Sequence, residues 1–324
     1  MSQAKVYVIH ENNTWIEPLR AAFAARRLPY EEWHLDQGAL NLTEAPPEGV
    51  FYNRMSASSH ARGHRFAPEY TSCVLAWLER HGRRLINSGR ALQLEVSKVA
   101  QYTALEAHGI RTPRTVAAVG RQEIIEAALV FDGPFISKHN RAGMGLGVHL
   151  FLSHEEFADY VAGPDFEPSI DGITLVQEYI RAPEPFITRL EFVGGRLVYA
   201  VRVDTSSGFE LCPADACRRV GNDGSADNKP ANLFTVLPDF RHPLVERYTT
   251  FLASNDIEVA GVEFIVDAQG EAYTYDVNTN TNYNPEAEAE VGLPGRGMGA
   301  IADFLCAELA RQTGDNFSCV EAAE

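Results

Sequence analysis

The sequence predicts an α/β chain of two or three domains, opening on a small doubly wound unit and continuing into mixed α/β lobes. Three observations carry that reading. A strand–helix–strand rhythm runs to Asn53, a helical stripe stops at Gly109, and beyond it short strands are divided by Gly and Pro. With 324 residues, 45% of them apolar and 22% charged, the chain can bury a full core, which excludes intrinsic disorder as its main state.

The elements follow in order. Val6 to His10 reads as a buried strand, and Thr14-Trp-Ile-Glu17 has the spacing of a capping box opening a helix to about Arg27, which Leu28-Pro29 ends. Strands at Glu31 to Leu35 and Val50 to Asn53 flank a Pro-rich loop. Leu92, Val96, Val99, Thr103 and Ala107 make one stripe on a single helix over 91–108. Strands are then expected at 115–119, 135–139, 148–152, 174–179, 188–193 and 196–203, with a helix capped by Ser153 and ending near Val161. A helix at 243–254, strands at 259–266 and 272–277, and a closing helix at 299–312 complete the chain. Residues 204–232, rich in Gly, Asp, Asn and Ser, read as a long loop that either orders as a lid over bound substrates or is an inert surface loop.

Composition narrows the function. A formal charge of −16 repels phosphodiester backbones and makes nucleic acid an unsuitable partner. The charge is uneven: residues 1–90 hold 11 basic and 9 acidic side chains, so a near-neutral head precedes an acidic body. No apolar run is long enough to span a bilayer, and the start lacks a secretory core, which points to a soluble cytoplasmic protein without membrane attachment. The five cysteines are scattered and indicate neither a disulfide framework nor a zinc site; Cys212 and Cys217, the two that sit close together, read as loop thiols.

Four constellations carry chemistry. Lys138 ends a strand and precedes Ala142-Gly-Met-Gly-Leu-Gly147, where Gly143, Gly145 and Gly147 let backbone N–H groups approach a polyphosphate; a tight turn between two strands fits the same pattern. A strand, not a helix, follows it, which excludes a dinucleotide fingerprint. Glu263, Asp276 and Asn278 end two neighbouring strands with hard oxygen ligands, Asp276 and Asn278 projecting the same way, as Mg²⁺ requires; the alternative is a solvated acidic hairpin edge. Gln177, Glu178, Tyr179 and Ile180 close an apolar strand whose amides can read an adenine edge, or form an ordinary strand end. In the head, Arg54, His60, Arg62, His64 and Arg65 crowd a loop after a strand, where they bind substrate carboxylates or form a solvated basic loop.

Taken together and in this order, these motifs resemble the ATP-grasp superfamily, most closely its RimK-like amino-acid ligases. The resemblance runs from about Leu85 to Leu305, through Lys98 and Gln101, Gly109-Ile-Arg-Thr-Pro113, Lys138 with its glycine loop, Gln177 to Ile180, Arg189, Gly194-Gly195, Arg202, Glu263 and Asp276-Val-Asn278. It implies an ATP-grasp fold of three units: a head domain at 1–88, a central lobe at 89–176 and a C-terminal lobe at 177–324. It further implies that Lys98 and Lys138 contact ATP phosphates, that residues 143–147 fold over them, that Gln177 to Ile180 hold adenine, and that Glu184 contacts the ribose. Glu263, Asp276 and Asn278 then bind one or two Mg²⁺ ions, and Arg202 with Arg189 stabilises an acyl phosphate, Arg189 having a surface ion pair as its other reading.

The activity so implied joins a small-molecule or peptide carboxylate to an amine with release of ADP. A small-molecule kinase and a nucleotide-binding protein without turnover are the alternatives, and a homo-oligomer is open. Where the family continues Ser-Pro-Gly after the last metal ligand, this chain has Thr279-Asn-Thr-Asn-Tyr-Asn284, so Asn280 joins Arg54, His60 and Arg62 as a candidate substrate contact.

Overall fold

A computed structural model describes residues 4–143, 145, 147–206, 233–314 and 319. The expected lid at 204–232, and with it Cys212 and Cys217, falls almost wholly outside the described residues.

Three sheets build the molecule. The first contains β1 (Lys5–His10), β2 (Tyr30–His34), β3 (Gly49–Asn53) and β4 (Arg84–Ile86), all parallel in the order β2-β1-β3-β4, with α1 (Glu17–Arg26) and α2 (Ala67–Arg80) as crossovers. Two short helices, α3 (Gly89–Glu95) and α4 (Lys98–Ala107), lead away from it. The second sheet is antiparallel, ordered β5-β8-β6-β7 from β5 (Thr115–Ala118), β6 (Phe135–His139), β7 (His149–Phe151) and β8 (Thr174–Glu178), backed by α5 (Arg121–Ala128) and α6 (His154–Ala162). The third, also antiparallel, runs β11-β10-β9-β12-β13 through β9 (Phe186–Val193), β10 (Arg196–Asp204), β11 (Phe234–Leu237), β12 (Val259–Val266) and β13 (Ala272–Asn278). Helix α7 (Leu244–Ser254) packs on it, and α8 (Pro285–Glu290) and α9 (Arg296–Thr313) close the chain.

The strand period of two decides what each face of the third sheet does. Leu190, Phe192, Ala200, Val262 and Phe264 pack against Tyr248, Phe251 and Leu252 of α7 and against Tyr102 and Leu105 of α4. The opposite face, with Ile187, Tyr199, Val201 and Val259, shares a core with Val6, Val8 and Val50 of the first sheet and Ile301 and Leu305 of α9. Polar clasps reinforce that junction. Buried Asn87 donates to Val259 O at 2.8 Å and Thr279 O at 3.0 Å, while its Oδ1 accepts from the amides of Glu258 and Val259. Arg84 reaches Glu258 at 2.5 Å and Glu308 at 2.7 Å. The first sheet therefore sits rigidly on the third, which fixes the head loops relative to the strand ends beyond them.

Several local expectations are overturned. No capping box forms at Thr14: the Asn12 side chain takes the amides of Thr14 and Trp15, and α1 starts after Ile16 without a side-chain cap. The single helix over 91–108 is two, because Ser97 accepts the Ala100 amide and starts α4 afresh. The rotation leaves Val99, Thr103 and Ala107 exposed and buries Gln101, Tyr102, Ala104 and Leu105 instead. Cys306 of α9 and Cys319 are disulfide-bonded, Cα atoms 6.2 Å apart, the one bridge among the described residues, where the scattered cysteines had indicated no disulfide framework. Ser153 does cap α6, accepting the Glu156 amide at 3.2 Å.

Candidate active site

Between the three sheets lies a cavity of about 360 Å³, within the usual range for a small-molecule site. Its chemistry begins on the third sheet, where Glu263 of β12 pairs in register with Asp276 of β13 on one side and Arg189 of β9 on the other. Directly opposed residues share a face, so this register alone sets two carboxylates and a guanidinium side by side. Asn278 lies two residues past Asp276 on the same edge, its amide 3.4 Å from Glu263 Oε1.

Arg189, 5% exposed, donates once from each of its three nitrogens: Nε to Glu191 at 2.5 Å, Nη1 to Glu263 at 2.6 Å and Nη2 to the Thr281 hydroxyl at 2.6 Å. Thr281 in turn donates to Glu191 at 2.7 Å. A β-carbon at Gly261 would stand 2.3 Å from Arg189 Nη2, so the guanidinium lies directly over that bare backbone. The surface ion pair read for Arg189 is in fact a buried network.

Lys98, at the first turn of α4, donates to Asp276 at 2.6 Å. It is there because α4 restarts at Ser97 and because Asn140, just past β6, takes the Val99 amide at 2.9 Å and accepts from Ser97. Lys138, 5% exposed, donates to the Tyr102 hydroxyl and lies 5.0 Å from that ring's centre. Burial, with Lys98 adding to it, pushes the Lys138 ammonium down to about 7. Glu263 is raised by burial and by the charge of Asp276, against the pull of Arg189. For Asp276 burial acts in the same direction, but Lys98, Lys138 and Arg189 outweigh it and hold it below the usual carboxylate range.

The glycine loop behaves as a close-approach element. Gly143 and Gly145 line the cavity, and Gly147, at φ +72°, has no room for a β-carbon, which would stand 2.9 Å from the His139 ring. Gln177, Glu178, Tyr179 and Ile180 also line it, beside Ile136, Ile187 and Ile265. Gln177 accepts from the Tyr102 hydroxyl at 3.3 Å, and Glu178 is held by the Arg114 amide at 2.6 Å.

Other expected residues are not brought here. Arg202 pairs across the strands with Thr188, and Arg189 with Val201, so Arg202 lies on the opposite face of the sheet. It stacks on Phe186 and pairs with Glu184, both exposed charges outside the cavity wall. Most of the head cluster is tied up from within: Arg62 and His64 both grip buried Glu11, at 2.6 and 2.9 Å, and Arg65, with Arg141, meets Glu69. Half-buried His60 does not line the cavity. Arg54 is turned onto Asn280, Thr281 and Asn282.

The cavity also has walls that sequence reasoning missed: Trp15, Ser56, Ser58, Glu95, Tyr275 and Asn282. Glu95 accepts from the Thr279 amide at 2.6 Å and from its hydroxyl at 3.1 Å, and burial raises its carboxyl, with Asp276 adding to the effect. Ser97, a cap residue three before a helical amide, was the available sign that Glu95 and Lys98 flank a break.

No family model matches the chain. Among solved structures, a RimK-domain ATP-grasp protein from Sphaerobacter thermophilus superposes with a TM-score of 0.60 at 18% identity, covering 93% of this chain and 99% of its own. The ATP-grasp ligase PsnB, complexed with a minimal precursor, gives 0.65 at 13% identity over 95% of this chain and 100% of that one. The chain has the ATP-grasp fold. Curated relatives match the chain over shorter stretches: mouse beta-citrylglutamate synthase B is 30% identical over 128 residues, 39% of this chain and 32% of that protein. D-alanine–D-alanine ligase from a Wolbachia strain of Drosophila simulans is 28% identical over 109 residues, 33% of each. The match thus spans about a third of the length of these relatives. Among the described residues no helix is long and apolar enough to cross a membrane.

Proposed function

We propose that this chain is an ADP-forming carboxylate–amine ligase, dependent on ATP and Mg²⁺, that makes an amide or peptide bond through an acyl phosphate on an amino acid or small amino-bearing acid. The observation that carries the reading is the convergence of Lys98, Lys138, Arg189, Glu263, Asp276 and Asn278, from five different elements, on one cavity. The relatives and the ATP-grasp fold support it. Small molecules or peptides are its partners in this reading, with no nucleic acid and no membrane, in the cytoplasm, where ATP is at hand.

The residues fit the metal. Two carboxylates and an amide oxygen are hard donors of the number Mg²⁺ takes from protein, and both carboxylates already hold cations, Arg189 and Lys98, in this structure. Among the described residues no group of three acidic, His or Cys side chains is placed to hold a metal ion, so the donor set here is two carboxylates and one amide oxygen. When bound, Mg²⁺ neutralises charge on the transferring phosphoryl group.

The chain's own residues do the rest. Lys98 and Lys138 bind phosphate oxygens under the glycine loop, and Gln177 to Ile180 with the three isoleucines hold adenine. The acid's carboxylate oxygen attacks the terminal phosphorus and ADP leaves; the amine nitrogen then attacks the acyl carbon, inorganic phosphate leaves, and the amine gives up a proton. Arg189, fixed by Glu191 and Thr281 before substrate arrives, meets the negative charge that builds on the acyl-phosphate oxygens. In this reading the head ends near residue 88 and the expected boundary at 176 moves past β8, which continues to Glu178 in the second sheet, so the cavity lies where head and lobes meet.

The test is simultaneous measurement of ADP and phosphate. Release of both only when acid and amine are present, abolished by Lys138→Ala, supports the reading; AMP formation, or phosphorylation of a hydroxyl without free phosphate, overturns it.

A further inference from the structure

Lys98 and Lys138 come from different elements, and each is held by a residue of the other's. On the helix, Lys98 and Tyr102 stand four residues apart on α4 and so share a face. Tyr102, 5% exposed, accepts from the Lys138 ammonium, which lies 5.0 Å from its ring centre, and donates to the Tyr275 carbonyl at 2.9 Å. An ammonium has three donors, so the hydroxyl fixes one of them and aims the other two. Gln101, next to Tyr102, brackets β13: its Nε2 donates to Val277 O at 2.8 Å, and its Oε1 accepts from the Val277 amide at 2.9 Å. That grip stops α4 from sliding along the strand that carries Asp276.

On the strand side, Asn140 lies two residues past Lys138 and is 2% exposed. Its carbonyl accepts from the Lys98 amide at 3.2 Å and its Oδ1 from the Val99 amide at 2.9 Å, while Ser97 accepts from the Ala100 amide at 3.3 Å. The first three amides of α4, which an isolated helix leaves without partners, are all satisfied, two of them by this one residue of another element. Its Nδ2 donates to Asp171 Oδ2 at 2.6 Å, and Asp171 Oδ1 accepts from the Ser169 hydroxyl at 2.6 Å and the Ile173 amide at 3.1 Å. Asn140 is thereby locked in one orientation, oxygen to the helix and nitrogen to the carboxylate.

We propose that Tyr102 and Asn140 are positioning residues for the nucleotide phosphates: Tyr102 sets Lys138, Asn140 sets Lys98, and the two ammonium groups form one preorganised cradle. The proposal deepens the ligase reading and rests on its assignment of both lysines to phosphate. Neither Tyr102 nor Asn140 lines the cavity, so both act through the lysines.

Calorimetric titration with Mg·ADP, run beside thermal unfolding, tests it. Tyr102→Phe keeps the ring beside Lys138 and removes only the hydroxyl; affinity for Mg·ADP should fall about tenfold. In a Lys138→Met background the same change should move affinity by no more than about twofold, because the group it positions is gone. Asn140→Asp keeps the acceptor for the Val99 amide but sets two carboxylates against each other, and should also cost about tenfold. Adding Asp171→Asn reverses the polarity of that bond and should restore affinity to within about twofold of wild type; in a Lys98→Met background Asn140→Asp should have no further effect. A merely structural role would lower the unfolding temperature and leave the affinity of the folded protein unchanged. Should Asn140→Asp alone not fold, the Tyr102 cycle decides. Unchanged or tighter Mg·ADP binding in either folded variant, or losses that add to those of the lysine variants, overturns the proposal. If the lysine variants are weakened while Tyr102→Phe and Asn140→Asp bind as wild type does, this proposal falls alone; if both lysine variants bind Mg·ADP as wild type does, the phosphate assignment in the ligase reading falls with it.

Discussion

Replacing Lys138 by Met should remove a proton uptake that accompanies nucleotide binding. In the free protein burial and the neighbouring Lys98 bring the Lys138 ammonium down to about 7, from an ordinary 10.5. A phosphate chain laid against it supplies the missing counter-charge and returns it towards its ordinary value. The sign follows: the bound state holds more protons than the free state, so binding takes up a proton and weakens as pH rises above 7. With a free value of about 7, Lys138 is about 90% protonated at pH 6 and about 10% at pH 8, so uptake climbs from about 0.1 to about 0.9 proton per site. Above pH 7 the affinity falls by up to about tenfold per pH unit. Calorimetric titration of Mg·ADP in buffers of different ionisation heat reads the uptake directly. Subtracting the Lys138→Met titration isolates this group from protons on the nucleotide itself. Heats that are independent of buffer at pH 8, or an uptake that survives in the variant, would refute the reasoning.

Three further substitutions probe the network around it. Arg189→Met leaves Glu191 and Glu263 buried without their cation and should cost about 3–5 kcal/mol in denaturant unfolding; because burial already raises both carboxyls, the loss should shrink as pH falls from 7 to 5 and they bind protons in the folded state. Gly261→Ala drives a β-carbon into the Arg189 guanidinium and should lower kcat by about 10²-fold or more while Mg·ADP affinity holds, measured by steady-state kinetics and titration. Arg202→Ala, on the far face of the sheet, removes an exposed pair with Glu184 and a stack on Phe186, each worth about 0–1 kcal/mol, and should leave kcat within about twofold; a large loss would restore the catalytic role the resemblance suggested.

What could be read in the chain and what could not divides along a physical line. Glu263, Asp276 and Asn278 were legible because they sit on the two strands of one hairpin, where the period of two carries a side-chain face from residue to residue. For Arg202 the expectation came from the resemblance, and the strand register departs from it. Val193 pairs with Arg196 across the Gly194-Gly195 turn, and in that register Arg202 would face Ile187 and share the side of Arg189. A one-residue bulge between Leu197 and Tyr199 shifts the pairing, sets Arg202 against Thr188, and exchanges every face beyond it. No side chain near the bulge announces it, since Leu, Val and Tyr suit either face of this buried sheet.

Long-range charge partners were hidden for a different reason. Arg62 finds Glu11 across 51 residues and Arg54 finds Asn282 across 228, so a cluster that looks cationic in sequence is neutral or internally bonded in space. Sequence proximity counts the charges but not their counter-ions. The break at Ser97 was legible only as a cap competing with a helical stripe, and the cap won because restarting the helix buries Tyr102 and Leu105 while leaving Lys98 to meet Asp276. The irregular points, a bulge, a helix break and a loop clasped by a buried arginine, are therefore where this chain departs from its own periodicity, and each lies at the cavity or redirects a side chain relative to it. A regular version of the same elements would form the same three sheets but would carry Glu95 along an unbroken helix and leave Asn280 and Asn282 free to flip.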